Sequence, residues 1–152
     1  MRVFLAGVMQ GMRLDDQVDD QSYRARLADA LTMCISDVHI IDPWALNPDS
    51  VNYDAQRARS TFLSMTKEAG KVDVLIAYLP TVSMGTAMEM WEAFQNGTYI
   101  IAVTPHVHHW AIRFTADEIL PSLDVMLAEI ENGRFLQKVR AYRQIDAPLA
   151  AD

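Results

Sequence analysis

Three residues in one short segment have the types and spacing that chemistry requires. They are Ser83, Gly85 and Glu89, which fall in the sequence SMGTAME, shortly after an apolar run. A serine at a helix N-cap can present its hydroxyl, and a glycine in the first turn lets a ligand approach the backbone closely. Glu89 lies too deep in the helix to offset the helix dipole, and its helical neighbours are small. The pattern therefore predicts a functional site built around the Glu89 carboxylate. The alternative interpretation of the same residues is that Ser83 is an ordinary N-cap and Glu89 a solvated helix residue.

The elements that must position these residues form a strand–helix–strand unit. Residues 73–79 are apolar with almost no alternation, which is typical of a strand buried on both faces of a parallel sheet. Helix formers from Met84 to Gln95 end at the stop signal Asn96-Gly97, and a second apolar run, Tyr99–Val103, follows. Such units bind ligands at the carboxyl ends of their strands, where the first turn of this helix should lie.

Strands and helices alternate along the rest of the chain. We expect strands at residues 3–6 and 38–41, helices at 17–33, 54–69, 111–120 (with a short strand as the alternative) and 122–131, a loop at 43–53, and a peripheral tail from about residue 135. This order predicts a single α/β domain over residues 1–152, a doubly wound sandwich of the flavodoxin or Rossmann type with a four- or five-stranded parallel sheet. The strand order should reverse between the first and third strands, with the first strand central.

The loop after the first strand should face the same crevice, because it also follows the carboxyl end of a strand. It has the sequence GVMQGMRLDD and carries Gly7, Gly11 and the cation Arg13. Asp42, at the end of the second strand, borders the crevice from another side. These residues are therefore candidates for ligand binding.

Composition and charge exclude several classes of function. The net charge of −7 argues against binding of a nucleic-acid polymer, which needs a basic surface. No apolar run approaches the length of a membrane span, and the N-terminal stretch MRVFLAGVM is too short for a secretory signal, so we expect a cytoplasmic protein without membrane contact. The single cysteine, Cys34, fits a reducing compartment, and its apolar helical surroundings favour a buried thiol over a nucleophile.

Segments of the chain resemble the nucleoside 2-deoxyribosyltransferase superfamily, and most of all its nucleoside 5′-monophosphate N-glycosidase branch. They are VFLAGVMQGMR, DVLIAYLPTVSMGTAMEMWEAF and GTYIIAVTP, and the likeness runs from about Val3 to Trp110. The resemblance implies that Glu89 is the nucleophile that attacks C1′ of a (deoxy)ribosyl group and displaces the base, with water or a second base as acceptor. It also implies that Ser83, where the transferases have an aspartate, helps to hold a 5′-phosphate.

The resemblance implies further contacts with a nucleoside or nucleotide. Gly7, Gly11 and Arg13 match the glycine-rich loop near the sugar phosphate. The backbone N–H groups of Gly85 and Thr86, at a helix N-terminus, suit a dianion.

Two more features follow from the same resemblance. His106 begins the segment HVHHW, which in the family often closes the active site of a neighbouring subunit, so a homodimer or larger homo-oligomer is expected. Met65 stands where the family usually has an aspartate, which leaves a nucleotide-binding module with little or no turnover as the alternative. No cofactor is expected, and no metal, because adjacent histidines rarely bind one ion together.

Overall fold

The computed structural model of the chain describes residues 1–15 and 17–146. In this part of the chain one parallel sheet has the strand order β2-β1-β3-β4-β5, with strands β1 (Arg2–Gly7), β2 (His39–Ile41), β3 (Val74–Tyr78), β4 (Tyr99–Val103) and β5 (Glu118–Leu120). β1 pairs with both β2 and β3, so the strand order reverses between β1 and β3 as the sequence predicts. The predicted α/β fold is therefore confirmed.

Helices cover both faces of this sheet. Helices α1 (Ser22–Cys34), α6 (Leu123–Glu131) and α7 (Arg134–Asp146) pack on one face, and helices α3 (Ala55–Ala69), α4 (Met84–Gln95) and α5 (Trp110–Thr115) pack on the other. A short helix, α2 (Pro43–Leu46), and a 3₁₀ turn, Ser50–Asn52, lie between β2 and α3.

Alternate residues of each central strand enter two separate cores. In β1, Val3 and Leu5 join the core under α1, whereas Phe4 and Ala6 join the core under α4. Because helices cover both faces of the sheet, the strand residues on either face are apolar. This explains the continuous apolar runs in the sequence.

Helix α1 begins later than predicted, at Ser22 rather than at residue 17. The preceding residues are held against the end of β1 instead: the Asp19 N–H donates to the Met9 carbonyl (2.6 Å), and the Gln21 side chain donates to the Val8 carbonyl (3.0 Å). The Asp20 carboxylate then accepts from the Ser22 N–H (3.0 Å) where the helix starts. Local loop bonds therefore outcompete the helical pattern here.

Two other segments differ from their predictions. Residues 43–53 are not all loop, because Asp42 accepts a hydrogen bond from the Trp44 N–H (3.0 Å) and caps helix α2, which has Pro43 at its first position. Residues 111–120 are not one helix: α5 ends at Thr115, and β5 then pairs with β4.

The tail expected to be peripheral helps to build the core. Phe135 and Val139 of α7 are almost completely buried, and they belong to the core that α1 also covers. Residues 147–152 lie outside the described residues. Cys34, predicted to be buried, is exposed, because the neighbouring Leu31 and Ile35 take the inward positions at the end of α1.

No helix within the described residues is long and apolar enough to cross a membrane.

Candidate active site

A cavity of about 410 Å³ opens at the carboxyl ends of β1 and β3. Its walls come from the loop after β1, the segment from α2 to α3, and the first turns of α4. This is the point where the strand order reverses, which is where open α/β sheets bind their ligands. The volume is within the range of small-molecule sites.

The start of α4 forms one wall. Ser83 is the N-cap, and its Oγ accepts hydrogen bonds from the Thr86 N–H (3.3 Å) and from the Thr86 hydroxyl (3.1 Å). Since a serine hydroxyl also carries one proton to donate, that proton remains for an acceptor in the cavity. Ser83, Gly85 and Thr86 all line the cavity, so the polar end of the helix is directed at any ligand held there.

Gly7 and Gly85 both line the cavity, but the lack of a side chain matters for a different reason at each position. A Cβ on Gly7 would lie 2.2 Å from the Tyr23 hydroxyl oxygen, so the backbone can pass there only without a side chain. A Cβ on Gly85 would meet nothing nearer than Phe62 Cε2 at 3.8 Å. Gly85 therefore leaves room in the cavity rather than relieving a collision.

Gly11 lines the cavity on the side formed by the loop after β1. It has a φ of +57°, a conformation that side chains rarely adopt, and it lies beside Thr81 and Asp19. The glycine is thus needed for the turn that brings this loop over the cavity.

Glu89 supplies the charge of the α4 wall. The residue is partly buried, accepts no hydrogen bond from the described residues, and has a carboxylate that its surroundings partly desolvate. This burial raises the pKa of Glu89 to about 8, with Arg24 opposing the rise and Asp42 adding to it. A carboxylate kept short of water and of hydrogen-bond donors is reactive once it is ionised.

The opposite wall is largely apolar and aromatic. Helix α3 contributes Phe62 and Met65, and the segment before it contributes Asn47 and Tyr53. The Tyr53 hydroxyl donates to Asn47 Oδ1 (3.4 Å), and the Arg57 guanidinium lies 3.7 Å from the centre of the Tyr53 ring. This wall suits a flat group with an apolar face and a polar edge.

Helix α3 shows why sequence reasoning missed part of this wall. Its apolar positions are expected from the sequence to face the sheet, but only Ala69 is fully buried, and Phe62 keeps 41% of its surface exposed. Three apolar residues of this helix, Ala58, Phe62 and Met65, line the cavity. An apolar stripe on a helix cannot by itself distinguish a core from a ligand wall.

Three predicted binding residues lie outside the cavity lining. Arg13 makes a two-bond ion pair with Asp15 (2.7 Å for each N–O pair) and a looser one with Asp19 (3.6 Å). Asp42 is buried in an ion pair with Arg24 (2.8 Å). The exposed His106 donates its Nε2–H to the Pro80 carbonyl (3.2 Å). By contrast, the remaining predicted residues share the cavity: Gly7, Gly11, Ser83, Gly85, Thr86 and Glu89.

A second cavity of about 620 Å³ lies on the other side of the α4 N-terminus, between α4 and α5. Its lining is mostly apolar and includes Met90 and Ile112, and it shares Gly11, Ser83 and Met84 with the first cavity. Trp91 also lines it and is 52% exposed, although a tryptophan among the apolar residues of a helix would be expected to be buried.

Within the described part of the chain, no group of three or more His, Cys, Asp or Glu side chains could hold a metal ion.

The fold is shared with solved structures of low sequence identity. A 2-deoxyribosyltransferase from Bacillus psychrosaccharolyticus superposes with a TM-score of 0.63 at 12% identity, over 87% of this chain and 91% of the other. A conserved protein from Enterococcus faecalis gives a TM-score of 0.59 at 18% identity, over 86% and 97%. The CMP N-glycosidase BcmB of Clostridium botulinum gives 0.50 at 18% identity, over 86% and 98%.

No protein-family model and no curated protein matches the sequence. The structural matches show that this chain shares its fold with these three proteins, among them a 2-deoxyribosyltransferase and a CMP N-glycosidase.

Proposed function

We propose that this protein cleaves the N-glycosidic bond of a (deoxy)nucleoside or of its 5′-monophosphate, with Glu89 as the nucleophile. The observation that carries the proposal is the position of Glu89, a desolvated carboxylate in the wall of a ligand-sized cavity at the switch point of the sheet. Around it lie the polar end of α4 and an aromatic wall, which match the sugar phosphate and the base of such a ligand.

The chemistry would run in two displacements. A Glu89 oxygen bonds to C1′ as the C1′–N bond breaks, the base leaves with the bonding electrons, and a covalent glycosyl-enzyme results. Water or a second base then attacks C1′, loses a proton that balances the one taken up by the departing base, and releases the carboxylate. Both transition states carry positive charge on the sugar, which an ionised Glu89 stabilises electrostatically.

Helix α4 would hold the other end of the substrate. The Ser83 proton and the N–H groups of Met84 and Gly85 are suited to a 5′-phosphate or a 5′-hydroxyl oxygen, whereas the Thr86 N–H already donates to Ser83 Oγ. The named structural neighbours, a 2-deoxyribosyltransferase and a CMP N-glycosidase, support glycosyl transfer from a nucleoside or nucleotide as the class of reaction.

A second candidate function, ligand binding with little or no turnover, is favoured by Met65. This thioether lies in the cavity wall at the position where the resemblance would place an aspartate. A site of this kind would hold a nucleotide by the same walls without a second carboxylate to assist the reaction.

Release of free base separates the two candidates. We would incubate the protein at about pH 8.5, above the pKa at which Glu89 ionises, with ribo- and deoxyribonucleosides and their 5′-monophosphates, and quantify free base by chromatography. The proposal predicts base release, and faster release from the monophosphates if Ser83 holds phosphate. Binding of a monophosphate seen by thermal shift, without any base release, would favour the binding module.

We also propose that the chain forms a homo-oligomer through the exposed faces of α4 and α5. Met84 (86% exposed), Met88 and Trp91 follow one another along α4, and Trp110 (77% exposed) and Phe114 continue the patch on α5. Apolar patches of this kind rimmed by polar residues mark protein interfaces. The patch also reaches the second cavity, so a partner subunit would lie beside the candidate active site.

Sedimentation velocity tests this proposal. The wild-type chain should sediment at no less than twice the monomer mass, and Trp91→Lys should shift it towards the monomer, because a charge at the centre of an apolar interface is costly to bury. Met33→Lys is the matched control, since Met33 is 85% exposed on α1, away from this patch. A wild-type protein that remains monomeric at high concentration would contradict the proposal.

A further inference from the structure

A buried ion pair lies directly behind the cavity, although neither of its residues lines it. Arg24 of α1 is 3% exposed and Asp42 is 8% exposed, and Arg24 Nη1 donates to Asp42 Oδ1 at 2.8 Å. Charged side chains are rarely buried this completely, so the pair must be compensated by further bonds.

Those bonds fix the end of β1. Strand β2 stops opposite Phe4, and beyond that point Arg24 donates to the carbonyls of Leu5 (2.8 Å) and Gly7 (3.4 Å). The guanidinium thus replaces a missing strand neighbour and holds in place the residue, Gly7, that forms part of the cavity wall beside Glu89.

A third contact connects the pair to the loop over the cavity. Arg24 Nε donates to Gln21 Oε1 (2.7 Å), and Gln21 in turn donates to the carbonyls of Val8 (3.0 Å) and Asp19 (2.9 Å). The other partner, Asp42, accepts from the Trp44 N–H and anchors the start of α2. One buried network therefore supports two walls of the cavity.

We propose that Arg24 and Asp42 are positioning residues for Glu89: they hold the Gly7 backbone in place and together set the electrostatic field in which the Glu89 carboxylate ionises. The inference rests on the proposed function for its catalytic meaning, but the field itself exists whatever the ligand is. Arg24 favours the ionised form of Glu89, and Asp42 opposes it.

Apart from the Tyr23 hydroxyl, whose pKa burial raises, the other ionisable groups on the surrounding described elements either have contacts of their own or lie exposed outside the cavity lining. The Tyr23 and Tyr78 rings pack on each other (4.4 Å between centres) behind Gly7, and the Tyr23 hydroxyl is buried without a hydrogen-bond partner among the described residues. On α3, α4 and α5 most charged groups have their own contacts: Arg57 with Tyr53, Glu68 with Arg2 and Lys71, Glu92 with Asn96, and Arg113 with Phe114. Arg59 and Lys67 of α3 are exposed and lie outside the cavity lining. Arg24 and Asp42 are therefore the charges through which the field at Glu89 can be altered.

Charge-removing variants at the two positions should act in opposite directions. We would titrate the side-chain carboxyl carbon of Glu89 by ¹³C NMR in the full-length protein, assigning the signal by its loss in Glu89→Gln. Arg24→Gln should raise the titration midpoint by about one pH unit, and Asp42→Asn should lower it by about the same amount. Where activity is present, the rising limb of its pH profile should move with the midpoint.

Two more variants separate charge from packing. Arg24→Lys keeps the cation and should titrate close to wild type, and Arg24→Gln/Asp42→Asn removes both charges and should fall between the single variants. If Arg24→Gln unfolds, Asp42→Asn, which has nearly the same shape as the native residue, still tests the sign. A shift of both single variants in the same direction, or an unchanged midpoint in Asp42→Asn, would overturn the inference.

The NMR measurement also separates this inference from the proposed function. Absence of base release by the wild-type protein counts against the proposed function, whereas the opposite midpoint shifts depend only on Arg24 and Asp42.

Discussion

Glu89→Gln is expected to lower the rate of base release by about three orders of magnitude or more, the scale on which removal of a catalytic nucleophile acts. The amide has nearly the same shape as the carboxylate but cannot attack C1′ or stabilise positive charge on the sugar. The loss should appear in kcat, with the affinity for a nucleoside monophosphate changed little, because the cavity walls that hold the ligand remain. Chromatography of free base and ligand-induced thermal shifts measure the two effects separately.

Glu92→Gln is the matched control for that experiment. Glu92 lies less than one turn further along α4, and its carboxylate accepts from the Asn96 side chain outside the cavity lining. It should therefore retain wild-type activity. Equal base release by wild type and Glu89→Gln would remove Glu89 from the role of nucleophile and leave ligand binding as the better account of the site.

The sequence was sufficient to predict the sheet and the start of α4. The bounds of α4 and β4 match their predictions, because each combines a strong internal pattern with a clear stop signal, Asn96-Gly97 for α4 and a following proline for β4. The placement of Glu89 relative to Ser83 then follows directly, since the N-cap and helix geometry together determine the path of the segment between them.

Contacts between segments that lie far apart in the chain could not be predicted from the sequence. Arg24 reads as one more charge on an amphipathic helix, and nothing local shows that β2 is too short to cover Leu5 and Gly7. In the same way Arg13 could be seen as a free cation, although Asp15 holds it through two bonds. Which partner a charge finds depends on tertiary packing, which propensity and periodicity do not encode.

Burial is also misjudged where the apolar side of a helix lines a cavity. Phe62 and Trp91 are apolar residues at helical spacing, and the pattern assigns both to the interior, yet both remain substantially exposed. Conversely, the mixed composition of α7 conceals Phe135, which is fully buried. Hydrophobic pattern identifies the apolar side of a helix but not what covers it.

Ionisation of Glu89 should make the folded protein less stable as the pH rises. The carboxyl has a pKa of about 8 in the folded state against 4.5 for the free group, so the folded state binds more protons between these limits. Its contribution to stability is therefore fully present below about pH 4.5, and it is lost as the pH rises through 8. At pH 9 the loss should be about 3 kcal/mol, since partial exposure of the residue screens some of the full effect.

Comparison with Glu89→Gln isolates that effect from every other titration in the chain. The free energy of unfolding, measured in urea for both proteins at several pH values, should differ little near pH 5 and should favour the variant by about 3 kcal/mol at pH 9. A difference that stays constant over this range would mean that Glu89 ionises as freely in the folded protein as in the unfolded chain. The expected result is a variant that is inactive and yet more stable, because the desolvation that makes the carboxylate reactive is the same desolvation that destabilises the fold.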